Sequence, residues 1–336
     1  MEARPITRVT VIGLGSIGSR HARNLRGMGI SVTGFDPDTQ RRATVTASGI
    51  TTFPDRESAL AVADATIIAS PTPCHIDDLA AAIEANCHAL VEKPLGHRSD
   101  LLPDLLDVAE DKKLVIAGAH NLRFRATVEK AKNIINDGQL GELFWARFLS
   151  ASYLPDWRPK QQHTTGYAAN PASGGIIFDA IHELDLAWYL VGDGDIATAA
   201  ATATGRLGIP SDDIADIVLQ HADGARSTIH VDYLTRPRRR RFEIAGANGI
   251  IEADLRSGWL RLADLEDRET ETVKTTLVPN EEYIKLVADF LSAATTNKPP
   301  ACPAREALAV LELTLKARNL SGLPSQKTNK QAVDVC

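Results

Sequence analysis

The sequence predicts an α/β fold that begins with a doubly wound parallel sheet, and three patterns lead to this prediction. The β-branched segment Arg8–Ile12 runs directly into the glycines Gly13, Gly15 and Gly18, and a helical pattern follows them. Strands and helices then alternate as far as about residue 122, as they do around parallel sheets. From about residue 143 the pattern changes to successive strands joined by short turns. The 336 residues are therefore expected to form two domains.

The composition is typical of a globular protein and argues against several classes of partner. Hydrophobic residues make up 44% of the chain and charged residues 24%. The net charge of −6 gives no electrostatic reason to expect nucleic acid or an anionic membrane as a partner. No apolar run approaches the roughly 20 residues that span a bilayer, and no secretory signal pattern opens the chain. We therefore expect a cytoplasmic protein.

Four cysteines are scattered along the chain: Cys74, Cys87, Cys302 and Cys336. They form no CxxC pair and show no spacing with histidines that is typical of zinc ligands. This distribution predicts reduced thiols rather than disulfides, and it predicts no metal site.

The glycine motif predicts a dinucleotide site. Its glycines allow a tight turn and let the backbone approach a pyrophosphate at the N-terminus of the following helix. Asp36 ends the second predicted strand, 18 residues after Gly18, where an acidic residue can hydrogen-bond the adenosine ribose. Because a carboxylate would repel a 2′-phosphate, the sequence predicts NAD as the cofactor. Arg41 and Arg42 lie close by in sequence and leave NADP possible.

Two further strand ends carry polar residues that would face the cofactor, since ligands bind at the carboxyl ends of parallel strands. The first loop contains Ser70, Thr72 and His75, where the alternative for the histidine is a solvent-facing helix residue. The second is Glu92-Lys93-Pro94. A lysine there can hydrogen-bond a substrate hydroxyl and favour its alkoxide character. The alternative is a solvent-facing lysine before a turn proline.

The segment of residues 174–192 carries the second group of candidate catalytic residues. Apolar residues recur every three to four positions after Gly174 and Gly175, which predicts one amphipathic helix closed by Gly192. Asp179, His182 and Asp185 would then share one side of that helix, one turn apart. A carboxylate beside an imidazole is a plausible proton-handling pair. The alternative is a structural histidine satisfied by a nearby carboxylate.

A long loop and an arginine run complete the candidate features. The loop after the strand at residues 143–152 contains Tyr153, Trp157, Arg158 and His163, and we expect it to close over a substrate. The run of arginines within residues 236–241 alternates between opposite sides of a strand, which favours a solvated or interface strand. If the substrate is acidic, one of these arginines could pair with it.

The other predicted elements follow from the same periodicities. Strands are expected at residues 31–35, 65–69, 89–91, 114–119, 196–205, 214–221, 225–233, 239–245 and 249–254, and helices at residues 282–295 and 304–320. The tail from residue 324 is polar.

Taken in order, these motifs resemble the Gfo/Idh/MocA family of sugar and cyclitol oxidoreductases. The resemblance rests on the glycine motif, the loop of residues 70–75, Glu92-Lys93-Pro94, Asn121-x-Arg123-Phe124, and Gly174-Gly175 followed by His182-x-x-Asp185. It implies an N-terminal Rossmann domain and an α+β domain with an open, mainly antiparallel sheet. The outer face of that sheet commonly packs against another subunit, which implies a homodimer or homotetramer.

The resemblance also implies roles for particular residues. Lys93 and His182 correspond to the family's catalytic lysine and histidine. Many members place an aspartate four residues before the histidine, where this chain has Phe178. A subgroup reading Asp-x-x-His-Glu-x-Asp is more similar, so Asp179 is the candidate partner of His182 and Asp185 the reserve.

Together these features predict an NAD-binding domain at residues 1–122, a substrate and oligomerisation domain at 123–323, and a polar tail at 324–336. The predicted reaction is hydride transfer between nicotinamide and a secondary alcohol or ketone of a sugar, sugar acid or cyclitol. Alternatives are a redox-neutral, NAD-dependent glycoside-cleaving enzyme and a non-catalytic dinucleotide sensor. Predicted cofactor contacts are Gly13, Gly15, Ser16, Ile17, Gly18, Asp36, Ser70, Thr72, His75, Glu92, Lys93 and Arg123. Predicted substrate contacts are Lys93, Tyr153, Trp157, Arg158, His163, Asp179 and His182.

Overall fold

A computed structural model describes residues 5–157, 159, 162–171 and 174–323. Its first sheet has six parallel strands in the order β3-β2-β1-β4-β5-β6. The strands are β1 (Arg8–Ile12), β2 (Ser31–Phe35), β3 (Thr51–Thr52), β4 (Ala65–Ile68), β5 (His88–Val91) and β6 (Ile116–Gly118). The helices between them are α1 (Ser16–Gly27), α2 (Thr39–Ala47), α3 (Arg56–Leu60), α4 (His75–Glu84) and α5 (Leu102–Asp111). Every residue of β4 is buried, as parallel strands covered on both faces require, and the predicted doubly wound sheet is confirmed.

The second sheet has eight strands in the order β14-β13-β12-β11-β7-β10-β9-β8. The strands are β7 (Leu143–Ala151), β8 (Gly194–Thr202), β9 (Ile214–His221), β10 (Arg226–Asp232), β11 (Arg239–Gly246), β12 (Gly249–Asp254), β13 (Trp259–Ala263) and β14 (Glu269–Lys274). The helices within this part are α6 (Ala126–Asn136), α7 (Ile176–Asp179) and α8 (Ile181–Val191). Neighbouring strands are antiparallel except for β7 and β10, which confirms the predicted mainly antiparallel sheet. Burial alternates along β9, so the sheet has one buried and one accessible face.

The segment predicted as one helix is divided into α7 and α8, with Ala180 between them. Asp212 fixes the start of α7, because its carboxylate accepts the Ile177 N–H at 2.9 Å and its carbonyl accepts the Ile176 N–H at 2.9 Å. The helix α8 ends before Gly192, as predicted. Asp179 and His182 therefore belong to two short helices rather than to one continuous helix face.

The chain divides into two compact units. The first contains the described residues up to Asn121 together with Asn280–Leu311, and the second contains the described residues of 122–279 and of 312–323. Two helices complete the fold, α9 (Glu281–Thr296) and α10 (Ala304–Leu320). The second domain predicted at residues 123–323 differs from the second unit, because α9 belongs to the first unit. There the Asn280 amide, at the start of α9, hydrogen-bonds the Asn24 side chain of α1 at 2.7 Å.

The cysteines and the helices test two predictions made from composition. Cys74 is disulfide-bonded, so the prediction of reduced thiols is wrong at this position, whereas Cys87 and Cys302 are buried and reduced. Sequence spacing does not reveal which cysteines a fold brings together, which explains the error. Burial raises the pKa of the Cys87 thiol to about 11. None of the described helices has the length and apolar character that a membrane span requires.

Candidate active site

The glycine motif leaves the backbone at the start of α1 open to a ligand. Gly13 has φ +85°, and a Cβ there would lie 2.4 Å from the Ser70 nitrogen. A Cβ on Gly18 would lie 1.8 Å from the Gly13 carbonyl oxygen, so neither position accepts a larger residue. At Gly15, by contrast, no atom of the described residues lies within 4 Å of the Cβ position. Ser16 is exposed and Ile17 half-buried. These are the features that a dinucleotide pyrophosphate needs at a helix N-terminus.

Asp36 connects the end of β2 to the glycine loop. One carboxylate oxygen accepts the Leu14 N–H at 2.8 Å and the other accepts the Asp38 N–H at 2.9 Å. Arg41 reaches the same carboxylate at 3.5 Å, whereas Arg42 donates to the Asp36 carbonyl at 2.5 Å. A carboxylate offers about four acceptor positions, and three donors occupy this buried one, so a ribose hydroxyl would take the remaining position. The residues present therefore fit the pyrophosphate and ribose of NAD.

The loop after β4 is held to the loop after β5 by His75. Its ring is buried, with Nε2 2.9 Å from the Ser70 carbonyl and Nδ1 2.8 Å from the Pro94 carbonyl. The Ser70 hydroxyl donates to Asp78 at 2.6 Å. Because the histidine is enclosed, it positions the two loops rather than presenting its own ring to a cofactor. Ser70 and Thr72 are half-buried, so they remain the partly accessible residues of this loop.

Glu92 and Lys93 follow β5 directly, and Glu92 fixes this segment to α1. Its Oε1 lies 2.8 Å from His21 Nε2, and its Oε2 accepts the Lys93 N–H at 3.2 Å. Burial would raise the pKa of Glu92, but the contacts with His21 and the charge of Lys93 outweigh it and lower the pKa. Glu92 is thus a buried carboxylate with a positioning role. His21 was not predicted from the sequence, although its position three residues after Gly18 places it on the helix that follows the glycine motif.

In the second unit, Asp179 is held by two tyrosine hydroxyls. The Tyr167 hydroxyl lies 2.9 Å from both carboxylate oxygens, and the Tyr233 hydroxyl donates to Oδ2 at 2.5 Å. Tyr233 is completely buried, and burial followed by the negative charge of Asp179 raises its pKa well above the ordinary value. It is therefore a permanent donor at neutral pH. His182 is half-buried in the first turn of α8, three residues beyond the end of α7.

Arg123 and Asp185 pair with each other, which corrects the roles predicted for both. Arg123 Nη2 lies 2.6 Å and Nε 3.0 Å from Asp185 Oδ1, and each side chain is only 1% exposed. The Tyr189 ring stacks on the guanidinium at 4.7 Å. Arg123 is therefore enclosed and structural rather than a cofactor contact. The Asp185 charge is balanced by this guanidinium, so Asp179 remains the better candidate for the His182 partner.

The predicted substrate loop contributes an aromatic surface beside Asp179. The Trp157 indole donates to the Ser152 hydroxyl at 2.9 Å, and its ring meets the Tyr233 ring edge-on at 5.4 Å. Tyr153 is covered by the guanidinium of Arg236 at 3.7 Å. His163 Nε2 instead lies 2.9 Å from the Leu207 carbonyl, which gives it a backbone contact. Arg158 lies outside the described residues.

Two family models match this chain. One, described as an oxidoreductase family with an NAD-binding Rossmann fold, matches residues 7–120. The other, described as a GFO/IDH/MocA C-terminal domain, matches residues 128–252.

Curated relatives and solved structures extend the likeness to most of the chain. A UDP-N-acetylglucosamine 3-dehydrogenase of Acidithiobacillus ferrooxidans is 26% identical over 326 residues, covering 93% of this chain and 96% of the relative. A myo-inositol 2-dehydrogenase of Thermotoga maritima is 25% identical over 331 residues, covering 93% and 95%. The structure of a levoglucosan dehydrogenase with NADH and levoglucosan has a TM-score of 0.84 at 20% identity, covering 94% and 99%. That likeness shows a shared fold.

Proposed function

Because the chain belongs to the GFO/IDH/MocA oxidoreductase family and carries its NAD-binding Rossmann fold, we propose that it oxidises a secondary alcohol of a sugar, sugar acid or cyclitol, or reduces the corresponding ketone. The observation that carries this proposal is the position of Lys93. It is the second residue after β5, at the carboxyl end of the parallel sheet, and Glu92 ties it to the helix that begins at the glycine motif. Relatives named as dehydrogenases of myo-inositol and of UDP-N-acetylglucosamine support the substrate class.

In the proposed reaction, protein side chains handle the proton and the reacting oxygen. His182 accepts the proton of the substrate hydroxyl, and its imidazole suits this role because the usual histidine pKa of about 6.5 lies near neutral pH. Lys93 donates a hydrogen bond to the same oxygen and stabilises its developing negative charge. Asp179, fixed by Tyr167 and Tyr233, orients and stabilises the imidazolium. Bound NAD supplies the hydride acceptor.

A screen of polyols, hexoses, amino sugars and acidic sugars with NAD tests the proposal directly. We expect absorbance of NADH to accumulate with at least one of these compounds. Release of a leaving group without NADH would indicate redox-neutral cleavage instead. Dinucleotide binding without turnover of any compound would contradict an enzymatic role.

Replacing Lys93 with methionine should lower kcat by about 10²-fold, the typical cost of losing one donor to a developing oxyanion. Methionine keeps the length of the side chain and removes its charge. Steady-state kinetics with the best substrate of the screen provide the measurement, and the NAD dissociation constant should stay within about twofold. Lys112→Met is the matched control, because helix α5 separates Lys112 from Lys93 in the chain. Turnover close to normal in the Lys93 variant would remove this residue from the mechanism.

The chain should use NAD at least about tenfold better than NADP in kcat/KM, a difference of about 1.4 kcal/mol. The reason is repulsion between the Asp36 carboxylate and a 2′-phosphate. Asp36→Asn keeps an acceptor for the Leu14 N–H but removes the charge, so it should reduce the discrimination. A preference of the unaltered protein for NADP would refute the role of Asp36.

A further inference from the structure

We propose that the second unit binds a phosphoryl group of the substrate through Arg125, Arg238 and Arg256 at the N-terminus of α6. This anion site would restrict the substrate to a phosphorylated sugar, either a monoester or a sugar carried on a diphosphate. The substrate assignment rests on the function proposed above, whereas the binding of phosphate itself does not.

Hydrogen bonds join Arg125 and the backbone of Arg240 to the turn that carries Arg256. Arg125, which directly precedes α6, donates from Nη1 to the Leu255 carbonyl at 2.8 Å. The Leu255 N–H donates to the Arg240 carbonyl at 3.0 Å. Arg256 follows Leu255 and is exposed. Arg238 lies two residues before Arg240 and is exposed, and it is close enough to Arg256 and Arg125 for their charges to act on it.

Positive charges are crowded around Arg238 in this cluster. Glu183 is buried, and its Oε1 accepts from Arg240 Nε at 2.8 Å. The pKa of Arg238 is lowered, first by lost hydration and then by repulsion from Arg240 and Arg256, with Arg125 acting in the same direction. The guanidinium group of Arg238 is thus close to three other guanidinium groups and to one carboxylate, that of Glu183. A phosphate, which carries a charge of about −1.5 to −2 at neutral pH, would relieve this repulsion better than one carboxylate.

The start of α6 adds a second and independent feature. Among the described residues no side chain caps this helix at Arg125, so its first N–H groups and its dipole favour an anion, while Glu129 is the acidic residue of its first turn. Thr127, in the first turn, is only 1% exposed, and its hydroxyl has no hydrogen-bond partner among the described residues. Backbone N–H groups beside guanidinium groups are donors that phosphate oxygens accept.

The position of the cluster fits a substrate whose reacting carbon lies near Asp179. The strand β10 ends at Asp232 opposite Ala151 of β7, and Ala151 in turn pairs with Arg239 of β11. Tyr233 and Arg238 therefore lie at the same end of the sheet, two strand spacings or roughly 10 Å apart. Glu183, which binds Arg240, also follows His182 directly in the chain. A phosphate at the cluster would leave room for one sugar ring between it and the proposed catalytic groups.

Calorimetric titration of the full chain with inorganic phosphate tests the site, with saturating NAD present so that the dinucleotide site is filled. We expect Arg238→Gln/Arg256→Gln to weaken phosphate binding at least tenfold. The matched control is Arg226→Gln/Arg239→Gln, which removes the same charge from exposed positions, Arg239 being on the opposite side of β11 from Arg240. The control should change the dissociation constant less than twofold. Equal weakening in both variants, or no phosphate binding by the unaltered protein at about 10 mM, would overturn the proposal.

Kinetics then separate this inference from the proposed reaction. With a phosphorylated sugar the Arg238→Gln/Arg256→Gln variant should raise KM at least tenfold and leave kcat within about twofold. With the unphosphorylated form of the same sugar both constants should stay unchanged. A larger effect on sugar carboxylates than on phosphorylated sugars would refute the phosphoryl assignment. If no sugar is oxidised, the reaction proposal fails, while the calorimetric result still decides the anion site.

Discussion

Replacing His182 with alanine should lower kcat by about 10²- to 10⁴-fold, the usual contribution of general acid–base catalysis. The hydroxyl proton would then have no positioned acceptor, although Asp179 and its two tyrosines would remain in place. The dissociation constant of NAD should not change, because the glycine motif and Asp36 lie in the other unit. Steady-state kinetics with the best substrate, combined with calorimetry for NAD, measure both effects.

His230 provides the matched control for this variant. It lies on the accessible face of β10, where its ring nitrogens contact Asp216 at 2.7 Å and Asp232 at 3.3 Å. His230→Ala should therefore leave kcat within about twofold. If the His182 variant turned over as fast as the control, another group would have to take the proton.

Local patterns in the sequence were sufficient to predict much of the fold. The strands β1, β9 and β12 have the bounds predicted for them, because each is a compact β-branched or alternating run with a clear turn beside it. The strand β3 has only two residues, too few for any period to show. The strand β14 has the sequence ETETVK and no buried residue, so its pairing with β13 had no hydrophobic pattern to reveal it.

The candidate site was harder to predict, because its contacts join distant parts of the chain. Tyr233 reaches Asp179 across 54 residues and His21 reaches Glu92 across 71, so spacing gave no sign of either pair. Arg123 was predicted as a cofactor contact from its motif, yet it is enclosed by a partner 62 residues away. Charged residues in motifs therefore divide into two groups that sequence alone does not separate: those that meet a ligand and those that hold the fold.

Replacing Arg123 with methionine should lower the free energy of unfolding of the second unit by about 3–5 kcal/mol. The loss arises because the Asp185 carboxylate, 1% exposed, would remain buried without its guanidinium partner. All four tryptophans lie within residues 145–259 and thus in the second unit, so their fluorescence during urea unfolding follows this transition.

Two further variants separate the pair from a general effect of losing an arginine. Arg123→Met/Asp185→Leu removes both charges and should recover most of the lost stability, since an apolar pair of similar volume often replaces a buried ion pair without loss. Arg236→Met removes an arginine whose partner Asp156 is exposed, so we expect little change in the unfolding midpoint. A single Arg123 variant as stable as the Arg236 variant would mean that the buried pair does not anchor α8. The position of His182 in the first turn of that helix would then need another cause.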